Sequence, residues 1–217
     1  MPESRLDAIL STTRERIAGL RPHARELARR AALAPEPRRF APALAGPTVG
    51  VIAEVKRRSP SAGAIREDLD PATHARSYEH GGAVAISVLT DERHFGGTLD
   101  DLSRVVRCVS VPVLRKDFIL DELQLYEARA AGASAALLIV RALAPERLRA
   151  LAELLVARVP TGVPAVAESG IETREDVERM AAAGADLVLV GTSVARRTDP
   201  EAAVRALVGV PRKGRER

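Results

Sequence analysis

The feature that most constrains this chain is a repeated exchange of two patterns, a short run of β-branched and apolar residues followed by a longer stretch with helical apolar spacing. The runs begin near Val49, Ala83, Val111, Ser134, Pro164 and Asp186, with 22 to 34 residues from one start to the next. Two parallel strands need a crossover of about a dozen residues or more, usually a helix, so this spacing predicts consecutive βα units on a parallel sheet or barrel. The helices are predicted over 71–80, 99–108, 121–131, 145–158, 173–183 and 200–208. Gly81, Gly132 and Gly184 follow three of them, where a left-handed C-terminal cap is expected. The count is six units. A complete eight-unit barrel typically needs about 250 residues, and this chain has 217, with the first strand opening only at Val49.

Ahead of that strand, residues 4–34 read as helix, with Leu6, Leu10, Ile17 and Leu20 at roughly helical spacing and Leu27, Ala31 and Ala32 continuing the stripe after Pro22. Prolines at 35, 37, 42 and 47 then break regularity, which predicts a linker or a loop over the rest. One domain is expected over 1–217: a helical extension and linker over 1–48, βα units over 49–210, and a basic tail over 211–217. At 46% hydrophobic the chain can bury one sizeable core. The net charge of +4 suits an anionic small molecule as well as nucleic acid. Aromatic residues at 2% and the absence of Trp deny the stacking platform of a single-strand nucleic-acid surface, so no nucleic-acid partner is expected. A single cysteine, Cys108, excludes an intrachain disulfide and fits a reducing cytosol. No apolar run approaches a membrane span and the amino terminus is no signal peptide. The expectation is a soluble cytoplasmic protein without a membrane partner.

In parallel α/β architectures the site lies at the carboxyl ends of the strands. Lysine marks two of those ends. Only three lysines occur, Lys56, Lys116 and Lys213, against thirty arginines among the 33 basic residues. Arginine stays protonated, whereas a desolvated lysine can become a usable proton donor. Lys116 ends the third strand in V-P-V-L-R-K-D-F-I-L, and Glu54 and Lys56 leave the first strand two residues apart, on one face. The plainer reading is that strand ends need charge to stop them. The fifth and sixth strands end in A-E-S-G and V-G-T-S, whose small residues open helices and expose backbone N–H groups as phosphate sites do.

Six stretches resemble one family: I-A-E-V-K-R-R-S-P-S (52–61), S-V-L-T-D-E-R-H-F-G-G (87–97), P-V-L-R-K-D-F-I (112–119), A-L-L-I-V (136–140), V-A-E-S-G-I (166–171) and L-V-G-T-S (189–193). Together they are similar to indole-3-glycerol-phosphate synthase, a (β/α)₈ barrel of tryptophan biosynthesis. The opening helices and A-P-E-P-R-R-F look like that family's amino-terminal extension, which packs over the barrel mouth. The fold implied is therefore α/β, a TIM-barrel-like fold shortened to about six βα units with extra amino-terminal helices.

The resemblance implies a carbon–carbon carboxy-lyase that closes the pyrrole ring of 1-(2-carboxyphenylamino)-1-deoxyribulose 5-phosphate, losing carbon dioxide and water, with no cofactor and no metal. It makes Lys116 the general acid at the substrate ketone, where a donor must meet a developing alkoxide. Lys56 would bind substrate anions and assist dehydration, and Glu54 and Glu168 would hold the lysines. Ser59, Ser169 and Gly170, with Gly191, Thr192 and Ser193, match the family's phosphate loops. Phe95, Phe118 and Leu137 fall where the family packs the anthranilate ring; Phe118 and Leu137 read equally as core.

The departure lies between the fourth unit and V-A-E-S-G. The family carries two further strands there, one ending in the glutamate taken as general base, the other in an Asn-containing segment with a nearby Arg. A Trp often supplied by the extension is missing too. The fourth and fifth strands would then have unpaired edges. They either pair directly in a narrower six-stranded barrel or are covered by a second subunit, and a homo-oligomer is expected on that ground. Losing a general base costs about 10²- to 10⁴-fold. Two classes stay open: a synthase of reduced activity in which Glu54 or Glu168 replaces the base, and a non-catalytic relative that binds a phosphorylated ligand or serves in an assembly.

Overall fold

In the computed structural model the described residues are 5–139, 142–144, 146–147, 150–151, 166–168, 171–182 and 187–211. The expected opening helix divides in two, α1 (Arg5–Leu20) and α2 (Ala24–Leu33), around a 3₁₀ turn at Arg21–His23. Pro22 lies in that turn, where a residue without N–H and with fixed φ interrupts the α-ladder.

Six parallel strands follow in the order β6-β5-β4-β1-β8-β7. They are β1 (Gly50–Val55), β4 (Ala85–Leu89), β5 (Val113–Lys116), β6 (Ala135–Ala136), β7 (Val166–Glu168) and β8 (Leu187–Val190), each starting within two residues of its predicted position. This is a TIM-barrel-like α/β fold in shortened form. The first and last long strands are neighbours: β1 pairs with β8, and Val49 N–H, just ahead of β1, donates to Val210 O at 2.6 Å. Among the described residues no ladder joins β6 to β7, so the direct closure considered from the sequence is not formed there.

Between β1 and α4 (Pro71–His80) lies a ribbon the sequence did not suggest, β2 (Arg58–Ser59) antiparallel to β3 (Gly63–Ala64). Helices α4, α5 (Glu92–Phe95), α6 (Leu99–Cys108) and α7 (Glu122–Ala130) start on side-chain caps from Asp70, Asp91, Thr98 and Asp121, the last two as reciprocal capping boxes. Each cap satisfies an N–H that a helix start leaves without a partner. After α4 the left-handed residue is Gly82, at φ 96°, and not Gly81, at φ −69°; Gly132 does adopt φ 87° after α7. Gly184 and most of the helix predicted over 145–158 lie outside the described residues. The last helices are α8 (Arg174–Ala182), α9 (Thr192–Ala195) and α10 (Pro200–Arg205).

Strand alternation makes two cores. Val51, Ala53 and Val55 of β1 join Ile86, Val88, Val113, Val188 and Val190 against the helices, in one cluster with Tyr78, Leu102 and Val105. On the opposite face Ile52, Ala85, Leu114, Leu187 and Leu189 form a second cluster. Leu44 belongs to that cluster, and Phe40 of α3 (Phe40–Ala43) packs against it. The proline-rich segment is thus part of the core on this face of the sheet as well as a connector. Full burial of one such aliphatic side chain contributes about 1.5–3 kcal/mol.

Candidate active site

At the carboxyl ends of β1 and β5 the inward positions stop being apolar. Glu54 is paired in register with Ser87 of β4, and the inward row of β1 passes from Ile52 through Glu54 to Lys56. Glu54 is 2% exposed. Its Oε1 lies 2.6 Å from Lys56 Nζ and its Oε2 lies 3.4 Å from Lys116 Nζ. One buried carboxylate therefore bridges two of the chain's three amines. A buried carboxylate is costly unless paired, and here its charge is matched by two partially exposed ammoniums whose Nζ atoms reach it from the ends of β1 and β5, with β4 between those strands.

These groups floor a cavity of about 430 Å³. Phe95 and Phe118 stand on its wall, their ring centroids 6.4 Å apart and their planes tilted by 33°. Leu137, Leu89, Leu189 and Ile171 complete the apolar side. Ser59, Ser61, Thr192 and Ser193 bring hydroxyls to it, and Gly191 comes against Glu54 without a side chain. Three of the hydroxyls are engaged locally. Ser193 Oγ donates to Ile171 O at 3.0 Å, and Ser59 Oγ accepts from Ala62 N–H at 3.1 Å and lies 3.3 Å from Ser61 Oγ.

Of the residues singled out from sequence, Glu54, Lys56, Ser59, Phe95, Lys116, Phe118, Leu137, Gly191, Thr192 and Ser193 all line this one cavity. Glu168 ends β7, and its side chain lies outside what the structure describes, as do Ser169 and Gly170. Among the described residues no group of three or more His, Cys, Asp or Glu side chains gathers as a metal site would, and no helix is long and apolar enough to cross a membrane.

Sequence reasoning missed a charge network beside the site. Arg115 and Asp117 flank Lys116 and have the opposite strand parity. Arg115, 1% exposed, donates through Nη1 to Gln124 O at 2.6 Å and through Nε to Thr90 Oγ1 at 3.0 Å. Its Nη2 lies 2.9 Å from Asp117 Oδ2, and Thr90 Oγ1 donates to the same oxygen at 2.6 Å. Asp117 Oδ1 accepts from Phe118 N–H at 2.8 Å. Arg16 of α1 then reaches in, its Nη2 2.9 Å from both Asp117 oxygens and its Nη1 3.2 Å from Thr90 O. Burial pushes the Asp117 carboxyl up, but Arg115 and Arg16 outweigh it and hold the group below its ordinary value. Burial likewise opposes the charge on Arg16, and Asp117 wins there too, raising it. Asp117 stood within the sequence stretch that draws attention to Lys116; the pairing with Arg16, across 101 positions, left no local signal.

Parallel βα units with a carboxylate-bridged pair of amines at the strand ends define the class: a TIM-barrel-like α/β protein with a charged, aromatic-walled cavity at the carboxyl ends of its strands. The comparisons make the family specific. The sequence model described as Indole-3-glycerol phosphate synthase matches residues 6–158 and 152–207. The indole-3-glycerol phosphate synthase of Mycobacterium avium (strain 104) is 41% identical over 257 aligned positions, covering 95% of this chain and 94% of that protein. Indole-3-glycerol phosphate synthase 2 of Streptomyces coelicolor is 41% identical over 227, covering 82% and 88%, and the Mycobacterium tuberculosis protein (strain ATCC 25177 / H37Ra) is 39% identical over 257. The chain belongs to the indole-3-glycerol phosphate synthase family. The alignment with the M. avium protein is longer than the 217 residues of this chain, so part of that relative faces gaps, and the family match comes in two pieces that meet at 152–158.

Proposed function

We propose that this chain catalyses the decarboxylating, dehydrating ring closure of 1-(2-carboxyphenylamino)-1-deoxyribulose 5-phosphate in tryptophan biosynthesis. The observation that carries the reading is Glu54 bridging Lys56 and Lys116 on the floor of a cavity with an aromatic wall, in a member of this family. Lys116 gives its proton to the ketone oxygen as the carboxylate-bearing ring carbon attacks, so charge does not accumulate on that oxygen. Carbon dioxide then leaves and the ring regains aromaticity. Lys56 holds the substrate carboxylate and afterwards protonates the departing hydroxyl, which leaves as water while a carboxylate removes the ring proton. Glu54 or Glu168 takes that base role in place of the family glutamate. Phe95, Phe118 and Leu137 hold the anthranilate ring, and Ser59, Thr192 and Ser193, with Ser169 and Gly170, receive the phosphate.

The test supplies the carboxyphenylamino ribulose phosphate and follows indole fluorescence, which a chain without Trp does not obscure. Turnover that Lys116→Met abolishes supports the reading. The two-piece family match favours one second reading, a non-catalytic relative that binds the phosphorylated ligand. Silence from both proteins, with ligand protection against thermal unfolding, selects it. We also propose a cytoplasmic homo-oligomer that covers the sheet ends at β6 and β7, against which a monomeric mass in solution at micromolar concentration would count.

A further inference from the structure

We propose that Arg16 is a positioning residue: by clamping Asp117 and the Thr90 carbonyl it fixes the backbone between Lys116 and Phe118, so that the helical extension sets the geometry of the acid and the aromatic wall. The catalytic consequence rests on the function proposed above; the physical part does not.

The contacts form one chain of fixation. Arg16 leaves α1 with its side chain 31% exposed and ends on a carboxylate with no exposure. A single guanidinium nitrogen meets both Asp117 oxygens, while the second reaches the carbonyl of Thr90, the residue between cavity-lining Leu89 and Asp91. Asp117 in turn holds Phe118 N–H, and Phe118 faces Phe95 across the cavity wall. Lys116 is the residue before Asp117, so a shift of the Asp117 backbone is a shift of the Lys116 Cα. The same helix places Thr12 Oγ1 2.9 Å from His94 Nε2, in the turn that carries Phe95. Two separate contacts of α1 thus land next to the two aromatic residues of the site.

Arg115 shares its Nη2 between Asp117 Oδ2 at 2.9 Å and Glu127 Oε2 at 3.2 Å, so Arg16 is the second cation beside two carboxylates. Because that cation is carried by α1, it also tethers the extension to the strand ends, and misplacing a reacting group by about 1 Å can cost 10²-fold in rate.

The test compares the full chain with Arg16→Met, Arg16→Lys and Asp117→Asn. Hydrogen–deuterium exchange, which needs no turnover, is read for the segment 115–120. Arg16→Met should speed exchange there about tenfold and leave β1 and β8 unchanged, with Arg16→Lys between it and the parent. With the carboxyphenylamino ribulose phosphate as substrate, kcat should fall ten- to a hundredfold with KM within about twofold. Unchanged exchange at 115–120 overturns the proposal, as does a uniform rise over every strand, which a merely structural role would give. A rise in KM at constant kcat also overturns it. A parent without turnover whose segment still loosens in Arg16→Met defeats the synthase reading and leaves the positioning intact.

Discussion

A Cβ on Gly191 would lie 2.5 Å from Glu54 Oε1, inside the volume that the carboxylate occupies, and 3.0 Å from Lys56 Nζ. The last strand is thus followed by the one residue type that lets the bridge between the amines form.

Gly191→Ala follows from that contact. The methyl must displace either the carboxylate or β8, and overpacking of this kind costs about 1–3 kcal/mol. The expected outcome is a lower thermal midpoint together with loss of most turnover, read by calorimetry and indole fluorescence. Normal turnover would mean that Glu54 has room elsewhere.

Glu54→Gln keeps the shape and removes the charge between Lys56 and Lys116. Two ammoniums that shared one counter-ion then repel, and breaking a buried pair costs about 3–5 kcal/mol at full burial, less here because both lysines are partly exposed. Turnover should fall at least about 10²-fold, in line with loss of a group that serves proton transfer. A variant within threefold of the parent would remove Glu54 from the mechanism.

Phe118→Ala opens the wall on which the anthranilate ring is placed and takes away the partner of Phe95. Aromatic pairs are worth about 0.5–1.5 kcal/mol beyond their area, so KM should rise roughly tenfold with a smaller fall in kcat. A kcat effect alone would assign Phe118 to holding Lys116 and not to holding the ring.

The Asp117 carboxyl is held below its ordinary value by Arg115 and Arg16 against the cost of burial. A carboxylate with a depressed folded value stabilises fully above the unfolded value, about 3.9, and loses that contribution as pH falls through the folded one. Asp117→Asn should therefore be clearly less stable than the parent at pH 7, with the gap in urea midpoint narrowing below about pH 4. A gap that holds constant from pH 7 to pH 3 would show that the pair contributes nothing as a charge.

The strand starts were legible because a parallel strand buried on both faces reads as a short β-branched run, and such runs as V-G-V-I-A-E-V stand out from the arginine-rich helices. Lys56 and Lys116 were legible for a different reason: an amine is rare in this chain, and both amines lie where strands end. The β2–β3 ribbon was hidden because its two-residue strands carry no alternation. The proline-rich segment read as a connector, since nothing local tells Phe40 and Leu44 that they will pack into the cluster of Ile52 and Leu187. Arg16 was invisible for the same reason at greater range. Its helix pattern places the residue on a helix, and only the folded chain places it on Asp117. Glu168, Ser169 and Gly170 rest on the family resemblance alone.

Because β1 is flanked by β4 on one side and β8 on the other, the amines, their carboxylate and Gly191 belong to one uninterrupted block of four strands, and the sheet's two ends lie outside it. That makes the chain a natural recipient for a transplant. A strand pair taken from a full-length relative and inserted between Ala136 and Val166 would enlarge the sheet at its margins, and any gain in rate could be credited to the inserted segment, since the block that carries the ammonium groups would be left as it was.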